Sequence, residues 1–202
     1  MKIRMAMLVS PTEERRRNAE SVKEILPELD LIHVDAKKED LFDKHLDVLR
    51  QKSIGVSGVL MMEDDIILCR DFRKRFSGVL KEHNESVIQF FEKALAKVPP
   101  PRGWQNGANF FSCVCYYVPA NVIELITDMD ARRRFREEVF PKKHEPWGYP
   151  IDTYIAYVLK ENKLKYWREI PYLVQHQDFK STIGNRSTKR QSKFFIDDLE
   201  DV

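Results

Sequence analysis

Three consecutive carboxylates, Glu63, Asp64 and Asp65, directly follow an apolar run at 59–62. A continuous apolar run is typical of a strand buried on both faces, and open α/β sheets bind ligands at the carboxyl ends of such strands. Carboxylates held close together repel one another, so such a site usually binds a cation, and oxygen ligands favour hard ions such as Mg2+ or Mn2+. The sequence therefore predicts a divalent-cation site at this position.

A helix N-cap is the alternative role for Asp64 and Asp65. The residues that follow, Ile66–Leu68, are apolar and β-prone, and the next helical pattern starts only near Asp71. This spacing favours metal binding over capping.

Three arginines at positions 15–17 lie in the first turns of a predicted helix at 13–26. Their guanidinium groups could bind a phosphate at the edge of the sheet, where the first strand ends. Clusters of this kind are more often solvated helix faces. A phosphate-binding role for Arg15 or Arg17 and a purely solvated role therefore both stay open.

Asp152 and His176 are two further candidates. Asp152 precedes an apolar helical segment at 153–159, where an Asp is also favourable as a cap and for the helix dipole. His176 lies near the end of a predicted strand at 172–177, and it is the one imidazole placed to complete an oxygen-rich metal site. Spacing alone leaves capping ahead for Asp152.

The chain begins with a strand–helix–strand unit, which must position the arginines at 15–17. Strands at 5–9 and 31–34 flank the helix at 13–26, which predicts a parallel sheet with a right-handed crossover. The stretch at 99–107 is rich in proline and glycine, which predicts a loop, with Trp104 as either a ligand lid or a packing anchor. Further helices are predicted at 41–52, 71–81, 120–129 and 130–138, and further strands at 87–91 and 109–118.

Composition limits the classes of protein that the chain can form. Its 202 residues are 43% hydrophobic, which is enough for the core of one domain, and the net charge of +2 gives no global basic field for nucleic acid. Three cysteines in apolar segments are expected to be reduced. Without a signal-like apolar segment or a run long enough to span a bilayer, we expect a cytoplasmic protein with no membrane span.

Three short segments, taken in order, resemble the catalytic domain of nucleotide-sugar-dependent glycosyltransferases of the GT-A fold. They are Glu63-Asp64-Asp65-Ile66, Tyr149-Pro150-Ile151-Asp152 and Val174-Gln175-His176 with Ser181-Thr182. The chain looks most similar to the N-acetylglucosaminyltransferase IV group, whose members have comparable motifs. The resemblance implies an α/β fold with a Rossmann-like, mostly parallel sheet between helices, formed by a single domain at 1–185 and followed by a charged tail at 186–202.

The resemblance also implies a role for each matching residue. Asp65 and His176 would bind Mn2+ or Mg2+ at the diphosphate of a donor, most simply a UDP-sugar, and Asp152 would be the general base of an inverting transfer. The remaining implied contacts are with the donor or, more weakly, with the acceptor. The donor contacts are Ser10, Pro11, Thr12, Arg15, Arg17, Glu63 and Asp64, and the acceptor contacts are Trp104, Trp147 and Tyr149.

The acceptor of such an enzyme stays open at this stage. A small enzyme without an anchor is expected in a bacterium or a phage, and a phage enzyme would act in the host cytoplasm. The hydroxyl acceptor could be a glycan, a small molecule or a hydroxymethylated base of phage DNA. The basic stretch at 186–193 could follow a phosphate backbone, although a solvated tail is the simpler interpretation. The competing hypotheses are a non-catalytic module that binds a nucleotide or a cation, and a nucleotidyltransferase-like enzyme.

Overall fold

A seven-stranded sheet forms the centre of the structure, with strand order β2-β1-β3-β7-β5-β8-β6. The structure, a computed structural model, describes residues 1–35, 40–92, 101–141, 149–177, 179, 191–192 and 194–197. Five of the seven strands point in one direction, and β7 and β6 run antiparallel to them. The strands are β1 (Ile3–Val9), β2 (Leu29–His33), β3 (Gly58–Glu63), β5 (Val87–Gln89), β6 (Gly103–Asn106), β7 (Cys115–Pro119) and β8 (Lys165–Arg168).

Helices cover both faces of this sheet, because the central strands are apolar on both sides. Residues of α1 and α3 share one core cluster with Met7 and Met62, whereas residues of α2, α4, α5 and α6 share the other with Ala6 and Met61. The helices are α1 (Glu13–Ile25), α2 (Leu41–Lys52), α3 (Phe72–His83), α4 (Ala120–Ile126), α5 (Met129–Arg134) and α6 (Ile151–Glu161). This arrangement confirms the predicted α/β class, with a mostly parallel sheet flanked by helices, and it is consistent with a GT-A-like Rossmann fold.

A second, two-stranded sheet lies beyond the carboxyl end of β3. Its strands, β4 (Ile66–Leu68) and β9 (Val174–His176), are antiparallel, with Ile66 opposite His176. Because β4 is a strand and α3 begins only at Phe72, Asp64 and Asp65 do not cap a helix. The capping alternative is therefore wrong.

Two regions differ from the sequence prediction. The predicted loop at 99–107 contains the edge strand β6, which pairs with β8, and β8 has only four residues. The strand predicted at 109–118 is shorter in the structure. A 3-10 turn occupies Gly107–Asn109, and the strand starts only at Cys115. The first difference arises from pairing between distant segments, which local composition does not encode.

The apolar residues near the C-terminus pack on the core. Tyr172 and Phe195 form an isolated bridge, and both Phe195 and Ile196 are buried. The boundary between a domain at 1–185 and a tail at 186–202 stays a prediction, and most of the basic stretch at 186–193 lies outside the described residues. None of the described helices has the length and apolar character needed to cross a membrane.

Candidate metal centre

The carboxylate cluster, defined as Glu63, Asp64 and Asp65, lies at the carboxyl end of β3. Glu63 is the last residue of that strand, and its backbone N–H donates to the carbonyl of Val114 at 2.9 Å. Asp64 and Asp65 form the turn into β4, where they are only 2% and 1% exposed. Two almost fully buried carboxylates need compensating charge.

Arg15 supplies that charge from the first turns of α1. One terminal nitrogen of its guanidinium forms an ion pair with Asp64, and the other lies 2.9 Å from Asp65 Oδ2. The backbone N–H of Ser10, at the end of β1, also donates to the Asp64 carboxylate. The strand–helix connection therefore holds both carboxylates from one side.

The protonation of Arg15 depends on two opposing effects. Burial by itself lowers the pKa of the guanidinium, but the negative charges of Asp65 and Asp64 more than offset this effect, so that its pKa is raised. Arg15 therefore stays positively charged and neutralises part of the carboxylate cluster.

The pairing of β4 with β9 places His176 beside Asp65. His176 Nε2 lies 3.2 Å from Asp65 Oδ2, and the imidazole is 2% exposed. The backbone N–H of Gln177 donates to the Asp65 carbonyl at 2.7 Å, which fixes the end of β9 beside the turn. Residues that are 111 positions apart in the chain thus share one buried site.

Glu63, Asp65 and His176 together form the ligand triad. Each offers one ligand atom, and these atoms all lie within 4.8 Å of one another. Two carboxylate oxygens and one imidazole nitrogen can bind Mn2+ or Mg2+, with other oxygens completing the coordination, and the nitrogen ligand suits Mn2+ better. The residues present therefore fit a divalent cation.

Asn18 supports this site, although the sequence analysis did not identify it. Its side-chain nitrogen donates to the carbonyls of Asp64 and Ile66, at 2.9 Å in both cases, and its oxygen accepts from the Gln177 side chain at 3.0 Å. Asn18 lies one turn after Arg15, on the side of α1 that faces the site. Two polar residues at this helical spacing, beside the buried Ala19 and Val22, were a signal available in the sequence.

Asp152 lies in the first turn of α6, but Pro150, not Asp152, is the N-cap residue. The Asp152 carboxylate accepts a hydrogen bond from the backbone N–H of Thr153 at 2.8 Å. Burial raises the pKa of the Cys113 thiol, and the negative charges of Asp152 and Glu63 raise it further. Asp152 and Glu63 therefore act electrostatically on the same buried thiol, just ahead of β7.

The predicted donor contacts divide into buried and exposed residues. Arg15 faces the carboxylates with both terminal nitrogens, whereas the side chain of Arg17 is 76% exposed and pairs with Glu13. Pro11 and Thr12 are exposed at the start of α1. An open groove on this helix is lined by Thr12, Glu13, Glu14, Arg17, Asn18, Ser21 and Phe179.

Of the predicted acceptor contacts, the two that the structure describes, Trp104 and Tyr149, lie in different parts of the fold. Tyr149 belongs to an aromatic cluster, with ring centroids 5.6 Å from Phe42 and 6.3 Å from Phe140, and Arg136 lies 5.0 Å from its ring. Trp104 lies on β6, four strands away from β3. Trp147 and the Ser181-Thr182 segment fall outside the described residues.

Comparisons with known proteins support the fold only. No model of a known protein family matches the chain, and no curated protein sequence matches it. The chain is similar to the crystal structure of A197 from STIV, with 9% identity, a TM-score of 0.52, and 88% of this chain and 86% of that chain covered.

A second similarity is weaker. It joins this chain to a glycosyltransferase involved in the glycosylation of the major capsid of PBCV-1, with 12% identity, a TM-score of 0.40, and 81% of this chain and 94% of that chain covered. At this TM-score the similarity carries no weight for function. Neither structure points to the N-acetylglucosaminyltransferase IV group.

Proposed function

We propose that this protein is a metal-dependent glycosyltransferase that moves a sugar from a nucleoside-diphosphate sugar to a hydroxyl acceptor. The observation that carries the proposal is the ligand triad, whose three ligand atoms lie within 4.8 Å of one another at the carboxyl end of β3. Ligands of open α/β sheets bind at this edge. Two of the GT-A-like motifs in the sequence supply the triad. Glu63-Asp64-Asp65-Ile66 supplies the two carboxylates, and Val174-Gln175-His176 supplies the imidazole.

Asp65 and His176 would hold the cation, with Glu63 as the third ligand. A divalent cation at this position would neutralise the charge that develops on the diphosphate as the sugar departs. In this scheme Arg15 acts as a positioning residue, because it fixes Asp64 and Asp65 with its two terminal nitrogens. Asn18 fixes the backbone of the same turn.

Asp152 would be the general base. Its carboxylate would accept the proton of the acceptor hydroxyl while the acceptor oxygen attacks the anomeric carbon, which inverts the configuration of that carbon. The negative charges of Asp152 and Glu63 both raise the pKa of the Cys113 thiol, so both carboxylates lie within electrostatic reach of the same residue, which supports this role.

The donor would extend from the ligand triad towards α1. Ser10, Pro11 and Thr12 lie at the junction of β1 and α1, and the open groove that includes Thr12 and Arg17 adjoins this junction. A uridine nucleotide and contacts from Glu63 or Asp64 to its ribose belong to the same proposal. The acceptor would be a glycan, a small molecule or a modified DNA base.

Release of nucleoside diphosphate from a panel of nucleotide sugars, with Mn2+, with Mg2+ and with EDTA, tests this proposal. We expect one donor to be hydrolysed in a metal-dependent way by the wild type, and the Asp65→Asn variant to lose this turnover. Asp30→Asn is the matched control, because Asp30 is an exposed residue of β2 that pairs with Lys52 of α2. Failure of every donor to turn over or to bind in the presence of metal would contradict the proposal.

One observation favours a second candidate, a module that binds a nucleotide or a cation without catalysis. Arg15 already neutralises part of the charge of Asp64 and Asp65, so the buried acids depend less on a metal for charge compensation. Calorimetry with UDP-sugars, in Mn2+ and in EDTA, separates the two candidates. Donor binding without hydrolysis or transfer to any tested acceptor would support the module.

A further inference from the structure

We propose that a groove beside Trp104, at the edge of the sheet remote from the carboxylate cluster, binds a neutral saccharide chain. The groove has a volume of about 350 Å³, and it is called the Trp104 groove below. It lies at the amino ends of β5 and β8. The residues that define it here are Glu85, Ser86, Trp104, Leu159, Leu164 and Lys165.

Trp104 is the central feature of this groove. Trp104 is 51% exposed although it lies on a strand, and its indole meets the rings of His83 and Trp167 nearly at right angles, with centroids 5.7 Å away in both cases. Perpendicular ring contacts of this kind restrict the orientation of an aromatic ring. The indole of Trp104 is therefore oriented and still exposed.

A network of contacts supports the rings beside Trp104. Trp167 stacks on His83 with centroids 3.7 Å apart, and its indole N–H donates to Glu169 at 2.8 Å. Glu169 also forms a two-pronged pair with Arg102, the residue next to β6. These contacts order the ring against which Trp104 rests, which lowers the entropy cost of binding a ligand on Trp104.

The polar residues of the groove match hydroxyl groups. Glu85 offers an acceptor, Lys165 a donor and Ser86 both, and in the described part of the chain neither Glu85 nor Lys165 takes part in an ion pair. A sugar ring combines an apolar C–H face with a rim of hydroxyls. A half-exposed indole beside such a mixed rim is complementary to that combination.

The charges of the groove disfavour nucleic acid. Among the described residues, a single acid and a single lysine border the groove, whereas a nucleic-acid channel requires a run of basic residues along the phosphate backbone. The polar rim equally disfavours an apolar helix or peptide, which would leave Glu85 and Lys165 desolvated. A neutral, hydroxyl-rich chain satisfies both constraints.

The Trp104 groove is distinct from the candidate metal centre. β6 is the fourth strand from β3, which places Trp104 roughly 19 Å from β3 across the sheet at the usual strand spacing. The groove also lies at the amino ends of β5 and β8, whereas the metal centre lies at the carboxyl end of β3, which runs in the same direction. The inference therefore stands independently of the proposed transferase activity. If both hold, the groove anchors a glycan away from the site of transfer.

NMR of the indole N–H signals, titrated with neutral tetrasaccharides of β1,4-linked glucose, α1,4-linked glucose and β1,4-linked N-acetylglucosamine, tests the inference. We expect at least one of them to shift the Trp104 and Trp167 signals in a saturable way. Trp104→Ala should weaken this binding at least tenfold, measured by calorimetry, and Trp104→Phe should weaken it less. Phe111→Ala is the matched control, because Phe111 is 50% exposed elsewhere, and it should bind normally.

Asp65→Asn separates this inference from the proposed function, since it should lose turnover while keeping tetrasaccharide binding. Three results would overturn the inference: no shift with any tetrasaccharide, binding that persists in Trp104→Ala, or binding that disappears in Asp65→Asn. A shift of the Trp104 signal with uridine monophosphate but not with sugars would also overturn it and would assign the groove to a nucleobase.

Discussion

Arg15 Nη2 lies 2.9 Å from Asp65 Oδ2, and both side chains are almost fully buried. Replacing Arg15 with Met would leave two buried carboxylates without their main compensating charge. We expect a loss of about 3 kcal/mol in the free energy of unfolding, measured by urea titration in EDTA. Because a divalent cation would compensate the same charge, the loss should be smaller in Mn2+.

Arg4→Met is the matched control for this experiment, since Arg4 reaches only a backbone carbonyl near the surface. An Arg15→Met variant as stable as the wild type in EDTA would show that the carboxylate cluster does not depend on Arg15.

Removing the amide of Asn18 should destabilise the turn that carries the carboxylates. Asn18→Ala leaves the carbonyls of Asp64 and Ile66 without their side-chain donor, which we expect to cost about 2 kcal/mol of unfolding free energy. Mn2+ affinity, measured by calorimetry, should fall as well because Asp65 is less well held. Ser21→Ala on the same helix should change neither quantity, and a normal Mn2+ affinity in Asn18→Ala would refute the positioning role.

His176 should select between cations. Imidazole is a better ligand for Mn2+ than for Mg2+, so His176→Gln should lower the affinity for Mn2+ by a larger factor than the affinity for Mg2+. Calorimetric titration with both ions gives the two factors. His33→Gln, at the exposed end of β2, is the control. Equal loss for both ions would indicate that His176 does not bind the metal directly.

Asp152 should affect the chemical step and not the metal. Under the proposed function, Asp152→Asn removes the general base, and we expect transfer to the acceptor to fall by a factor of about 10² to 10⁴. Mn2+ affinity should stay normal, because Asp152 is not part of the ligand triad. Transfer at the wild-type rate would rule out Asp152 as the base.

His45 should make the protein sensitive to acid. Burial lowers the pKa of His45 from 6.5 to about 4, and its ring stacks on Tyr116 and bonds to the phenol. The unfolded chain therefore binds a proton more readily than the folded one between these values. The contribution of neutral His45 to the free energy of unfolding should be fully present above pH 6.5. The free energy of unfolding should fall by about 2 kcal/mol between pH 7 and pH 5.

Urea unfolding of the wild type and of His45→Gln at both pH values isolates this contribution, because glutamine does not titrate. The wild type should lose about 2 kcal/mol more than the variant over this interval. The same loss in both proteins would show that other groups cause the acid sensitivity.

Local patterns in the sequence were sufficient to predict the class of fold and the position of the carboxylates. Continuous apolar runs such as residues 5–9 are typical of strands buried between two layers of helices, so their pattern predicts the sheet and its helical faces. Acids directly after such a strand must lie at its carboxyl end. These are local properties of the chain, which explains why they could be predicted.

Local patterns do not specify which side chains meet, and these contacts became known from the folded structure. The pairing of Ile66 with His176 and the ion pairs of Arg15 with Asp64 and Asp65 join segments that are far apart in sequence. The segment that carries Trp104 has a turn-like composition, but it forms an edge strand because it pairs with β8. Strand pairing and charge compensation depend on which groups become neighbours after folding, and no local pattern specifies those neighbours.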